Sequence, residues 1–269
     1  MKERPRLPRE TAMTDPFDAC EPPAALARAA FAGIDLAHGS AFDDRHPDHA
    51  LVQALRQRFL QALVVDLDDA KACCQAAFQP RLASAGFDLY LDLMIPAIRT
   101  LGEQWETDGM RFEDLSVAYA NMHHLLLTHG QAWRVAPAFV QGRPSIVLST
   151  MDPSGHVFGP MIVANLFRSE GWNVSHNIVG QTELLLDEVA SRRFDVVGLS
   201  VGTDHELLRV NPLCAEVRRA SLIPGVRVVA GGTVFAQGHA FPFLDVDFVA
   251  SSAGDALAWC RGQVSSHRT

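Results

Sequence analysis

A chain of 269 residues, 48% hydrophobic and 20% charged, is long enough for two domains and too apolar to be disordered throughout. Its formal net charge of −8 argues against a broad nucleic-acid footprint, which needs surplus Lys and Arg to neutralise phosphates. No run approaches the ~18 uninterrupted apolar residues of a membrane span. Lys2, Arg4, Arg6 and Arg9 are followed by no apolar run, so the start does not read as a secretory signal. The five cysteines are odd in number and form no CxxC pair, and adjacent Cys73 and Cys74 cannot easily bridge. A reduced, cytoplasmic chain is expected.

Residues 1–45 read as a flexible tail interrupted by Pro5, Pro8, Pro16, Pro22 and Pro23, with a short helix near 24–31 and a second start site available at Met13. Residues 46–140 read as a four-helix cap bundle. Leu51, Leu55, Phe59, Leu60 and Leu63 recur at helical spacing and mark one apolar face. A second helix is predicted over 68–83 and a third over 89–106, interrupted or kinked at Pro96. Gly109 is a stop signal, and a fourth helix covers 112–134.

From 141 to 269 the rhythm changes to five βα units. Strands are predicted at 145–149, 173–179, 196–200, 226–230 and 248–250, with helices at 158–171, 183–191, 205–220, 233–243 and 254–263. Apolar strands alternating with helices predict a Rossmann-like parallel sheet covered on both faces. Ligands of such sheets bind at the carboxyl ends of the strands. Three loops there stand out: Ser154-Gly155-His156-Val157-Phe158-Gly159, Ser200-Val201-Gly202 and Gly231-Gly232-Thr233. Each alone reads as an ordinary loop or turn; the three in this order at strand ends are far more specific.

These loops resemble the cobalamin-binding family of methionine synthase, corrinoid shuttle proteins and B12 photoreceptors, which carry Asp-x-His-x-x-Gly, Ser-x-Leu and Gly-Gly at similar spacing. The resemblance implies that His156 replaces the cofactor's own base beneath cobalt, and that the displaced nucleotide tail enters a slot beside the sheet. Imidazole suits a transition metal, and glycines at 159, 231 and 232 allow close backbone approach. Ser200 is the expected polar contact to the tail. Thr233 and Ser252 complete the candidate contacts at the fourth and fifth strand ends.

The chain departs from that pattern at named places. Ser154 stands where the family has Asp, so it brings no charge to the imidazole. Gly202 stands in place of Leu, which is expected to open space near the tail. Asp204 stands where a hydroxyl is usual. In the cap, the Leu101-Gly102-Glu103-Gln104-Trp105 stretch resembles one that brings an indole over the upper corrin face, and Trp105 is the candidate for that role. Leu115 and Ser116 occupy the places where the photoreceptors carry Glu-His. Water or hydroxide above cobalt is therefore expected in preference to adenosyl. Glu103 and Glu106 read as solvated or capping groups, and His123 and His124 as helix residues.

Taken whole, the chain resembles the AerR/PpaA group of photosynthesis-gene regulators of purple bacteria. That resemblance implies a cobalamin-dependent, light-responsive, non-catalytic antirepressor whose partner is a CrtJ/PpsR-type repressor. The alternatives are a methyl-carrying corrinoid protein serving a methyltransferase, and a haem or redox sensor, since His156 suits iron equally. No DNA-binding module is evident, so any direct DNA contact through the basic first residues is weak.

Overall fold

The computed structural model describes residues 42, 45–134, 139–151, 158–177, 181–235 and 241–265. The predicted tail helix near 24–31 and Met13 lie outside the described residues. Phe42 lies within the predicted tail yet is 1% exposed, with its ring against His46 and Phe87.

The first helix, α1 (His49–Val65), buries Val52, Leu55, Phe59, Ala62 and Leu63. Leu51 is instead exposed, so the inward face is rotated slightly from the predicted one. Asp66 then accepts hydrogen bonds from the backbone N–H groups of Asp68 and Asp69 and caps α2 (Leu67–Ala76). The helix predicted over 68–83 is two helices. Pro80 holds Gln79 in an extended conformation (ψ 144°) and opens the short α3 (Pro80–Ser84) as its first residue.

The predicted interruption at Pro96 takes the form of a π-helical turn, Leu89–Met94, running into α4 (Ile95–Glu106). Pro96 has no N–H to give to the carbonyl four residues back, at Asp92. Arg56 of α1 takes that carbonyl instead: its Nε donates to Asp92 O at 2.6 Å. The guanidinium also lies 3.7 Å from the Asp92 carboxylate, whose other oxygen accepts the Asp88 N–H at 2.9 Å. Burial lowers the Arg56 pKa, and the Asp92 carboxylate opposes that shift. The helix stop also differs from expectation. Asp108, not Gly109, takes the left-handed conformation (φ 54°). Gly109 N–H reaches back to Gln104 O at 2.7 Å and Asp108 N–H to Trp105 O at 3.2 Å, which together make a Schellman ending.

The long α5 (Phe112–Arg134) buries Leu115, Ala118, Met122, Leu125 and Leu126, all within a three- and four-residue rhythm. Asn121 Nδ2 donates to Leu63 O at 2.9 Å and ties α5 to α1.

The sheet comprises β1 (Ser145–Thr150), β2 (Asn173–Asn177), β3 (Val196–Ser200), β4 (Arg227–Gly231) and β5 (Phe248–Val249). All neighbours are parallel and the order is β2-β1-β3-β4-β5. Helices α6 (Phe158–Ser169), α7 (Thr182–Ser191), α8 (Asp204–Ala220) and α9 (Ala253–Ser265) connect or follow the strands. Strand alternation divides the packing into two cores. Ile146, Leu148, Val196 and Val229 face α6 and α9, and this core is continuous with that of the helical part. Val147, Val197, Leu199 and Val228 face α7 and α8. Asn165 of α6 donates Nδ2 to Leu126 O of α5 at 2.9 Å, pinning the sheet's first helix to the last helix of the cap.

The helix predicted over 233–243 does not form as such. A 3-10 turn covers Thr233–Phe235, and Phe241 lies in non-helical chain before Pro242, a residue that disfavours helix at the position preceding it. Across the opposite end of the sheet, Asp247 accepts from Val228 N–H and from Arg227 and Arg218. Burial pushes the Asp247 carboxyl up, but these hydrogen bonds outweigh it and hold its pKa below the ordinary value.

Two stability predictions follow from these contacts. Replacing Arg56 by alanine leaves a buried carboxylate and a freed carbonyl together, and should cost about 3 kcal/mol in urea unfolding; an unchanged midpoint would deny Arg56 its role as the pin. Asp247→Asn should cost about 2 kcal/mol at neutral pH. Because the folded pKa is depressed, that advantage is complete above the unfolded carboxylate pKa of about 3.9 and disappears as pH falls through the folded value. Wild-type and variant stabilities should therefore converge in acid; a gap constant with pH would show that charge is not involved.

Candidate functional site

In the order β2-β1-β3-β4-β5 the chain leaves β1 in one direction and β3 in the other, so the carboxyl ends of β1 and β3 flank the switch point. A cleft opens there, between the sheet and helices α6 and α9, with about 760 Å³ of free space that merges with solvent at its mouth. Its sheet wall descends in rungs set by the strand register. Thr150, Ser200 and Gly231 form the outermost row, and Leu148, Gly198 and Val229 the next. Ile146 and Phe167 line the cleft further in, and both are fully buried.

Glycines shape this wall in different ways. A Cβ on Gly198 would stand 2.5 Å from Leu148 Cδ2, so the Leu148 side chain lies across the space that residue 198 leaves free. A Cβ on Gly231 would meet nothing closer than 3.7 Å, which leaves that strand end open to the cleft. Gly232 serves the fold. It has φ 125°, and a Cβ there would collide with the Val201 carbonyl.

The loops around the mouth are tied to one another. Thr203 caps α8, its side chain accepting from Glu206 N–H at 3.4 Å. The Glu206 carboxylate, 4% exposed, accepts from Gly202 N–H at 2.7 Å. This is a variant of the capping box, with the acid reaching one residue beyond the cap. Thr233 Oγ1 donates to Gly202 O at 3.2 Å and joins the third loop to the second. Arg209 Nη1 donates to Met151 O at 3.3 Å, at the start of the loop that carries His156.

The structure thus brings Gly159, Ser200, Gly231, Gly232 and Ser252 to one cleft. Ser252 Oγ also accepts the Asp255 N–H at 3.0 Å, at the start of α9. Gly202, Asp204 and Thr233 do not line it. Gly202 is occupied by Glu206 and Thr233, and Asp204 is exposed in the first turn of α8, where a carboxylate complements the helix dipole. Ser154 and His156 lie outside the described residues; Met151 and Phe158, which bracket them, are both buried.

On the helical side, Trp105 is half-buried near the end of α4, its ring 6.2 Å from that of Phe112. Leu115 is 1% exposed and belongs to the bundle core, whereas Ser116 is exposed and donates to Phe112 O. Glu103 and Glu106 are exposed. Tyr119 meets Phe158 with ring centroids 4.5 Å apart, and His123 lies 6.4 Å from the same ring. Sequence reasoning missed Tyr119, Glu206 and Arg209. Only Glu206 carried a signal, the Thr-x-x-Glu spacing from Thr203. Gly232→Ala should lower stability by about 2 kcal/mol or more, since it combines a left-handed backbone with a backbone collision; a variant as stable as wild type in urea would mean that the loop adopts another path.

No curated protein matches this chain. The monomethylamine corrinoid protein of Methanosarcina barkeri is similar in structure, with a TM-score of 0.53 and 15% identity, over 77% of this chain and 97% of its own. A cobalamin-binding protein from Desulfitobacterium hafniense DCB-2 aligns at 20% identity over 79% of this chain and 98% of its own, with a TM-score of 0.37. Residues 144–258, which contain the whole parallel sheet and the cleft, match the family described as the B12 binding domain.

Proposed function

We propose that this chain binds cobalamin across the carboxyl end of its sheet and uses the bound cofactor to regulate a repressor. The observation that carries the binding is the cleft itself. It lies within the segment matching the B12 binding domain, its wall is opened by Gly198 and Gly231, and Ser200 stands at its mouth. A trough lined by small and apolar residues with a hydroxyl at its rim fits a nucleotide tail: the apolar base enters and the polar linkage stays near water.

In this reading His156 holds cobalt from below. The loop from Met151 to Phe158 starts beside the cleft mouth, where Met151 N–H bonds to Ser200 O at 3.1 Å. Ser154 hydrogen-bonds the imidazole without adding charge, so the ligand is less basic than one paired with a carboxylate. Trp105 shelters the upper face. Bound cobalamin supplies a metal centre whose upper ligand is exchangeable by light. The protein's contribution is to make occupancy visible elsewhere. Phe158 follows His156 by two residues and packs on Tyr119 of α5, so ordering of the cofactor loop is passed directly to the helical part. A ligand shifts such an arrangement only by its differential affinity for the two states.

The regulatory half rests on the resemblance to the AerR/PpaA group, with a CrtJ/PpsR-type repressor as partner and hydroxo- or aquocobalamin as the active form. Two measurements test the two halves separately. His156→Ala should lose the absorption spectrum of imidazole-ligated cobalamin while keeping its circular dichroism; retention of that spectrum would move the ligand to another histidine. Capture of the repressor should depend on cobalamin and on illumination. Equal capture by apo and loaded protein, in light and in dark, would remove the switch, and methyl transfer to a partner enzyme would establish a carrier instead.

A further inference from the structure

We propose that the cleft selects among corrinoids by the chemistry of the lower base, taking a benzimidazole and discriminating against a purine. This rests on the reading that the cleft receives the nucleotide tail. In a corrinoid the base is the far end of that tail, joined to the ring through phosphate and ribose. A tail entering at the Ser200–Gly231 row therefore places its base deepest.

The cleft changes character along that direction. Ser200, Ser251 and Ser252 provide its hydroxyls, all at or just beyond the strand ends. Further in, the wall is Leu148 and Val229, then Ile146 and Phe167. Phe167 is fully buried and held edge-on to Trp172 with ring centroids 5.1 Å apart, so the inner end is an aromatic surface fixed from behind. No charged, amide or imidazole side chain lines the cleft among the described residues. The sheet backbone offers nothing either: its N–H and C=O groups there are engaged in the parallel ladders of β1, β3 and β4.

Dimethylbenzimidazole presents two methyl groups and a largely hydrocarbon edge to such a surface. Adenine presents an exocyclic amine and additional ring nitrogens, all hydrated in water and without partners at this depth. Burying unpaired polar groups is costly enough to separate two ligands of similar size.

Apo protein of full length, titrated by absorbance, provides the test, with hydroxocobalamin, its adenine-bearing counterpart and aquocobinamide, which lacks the nucleotide, as the probes. The expected order is cobalamin tightest, with the adenine form weaker by about tenfold or more. Equal affinity for the cobalamin and adenine forms, with cobinamide weaker, would overturn the selectivity while leaving the tail in the cleft. Cobinamide binding as tightly as cobalamin would remove the tail from the cleft and this inference with it. Failure of all three to bind would instead overturn the proposed function.

Discussion

One face of the parallel sheet runs out of side chains as it approaches its carboxyl end, and the cleft follows from that. At the Leu148–Gly198–Val229 row the central strand contributes no side chain, and at the next row outward the fourth strand contributes none. Packing against α6 and α9 would normally fill such a face to interior density. Here the helices contribute Gly159 and Ala256 where they meet the trough, and the space persists. Leu148 reaches across the gap left by Gly198, so the trough is partly furnished by a side chain with rotamers to choose from. A site made by omission needs little strain, and its shape is set by strand register more than by loop conformation.

That face is also the one through which the helical part is attached. Its apolar core continues from Ile146 and Leu148 through Phe158 and Phe167 into Leu125 and Leu126 of α5. The Asn165–Leu126 hydrogen bond and the Tyr119–Phe158 contact lie along the same seam. Anything that occupies the cleft or orders the loop beside it therefore acts on residues already engaged with the cap. The opposite face, covered by α7 and α8, has a separate core and offers no comparable route.

Much of this plan was legible from the residues because the signals are local. Period-two apolar strands alternating with amphipathic helices declared a parallel sheet, and the strand-end loops named five residues that now line one cleft. What was illegible depended on partners distant in sequence. The gap at Gly198 has meaning only beside Leu148, fifty residues earlier. Gly232 was read as room for a ligand but is required by the Val201 carbonyl, and Gly202 was read as open space but is claimed by Glu206 and Thr233. Prolines were misjudged for the same reason. Pro80 divides a helix and Pro242 lies within a predicted one that does not continue, whereas Pro96 is tolerated because Arg56, forty residues away, takes the carbonyl it frees.

The helical side bears on what kind of protein this is. In the photoreceptor pattern an acid and an imidazole follow the tryptophan at fixed spacing. At the corresponding places here, Leu115 points into the bundle core and Ser116 spends its hydroxyl on the Phe112 carbonyl. The difference is therefore more than a change of side-chain charge: the first position is turned inward, so an ionised group there would meet apolar neighbours and a desolvation penalty. Groups near the indole are aromatic instead, with Phe112 beside Trp105 and Tyr119 further along the same helix. An upper face built in this way excludes water without offering a second strong ligand, which favours small exchangeable ligands above the metal. Such a surface suits sensing of cofactor state better than holding one alkyl group through repeated turnover, and it places the functional distinction in the cap, while the sheet supplies the binding common to both.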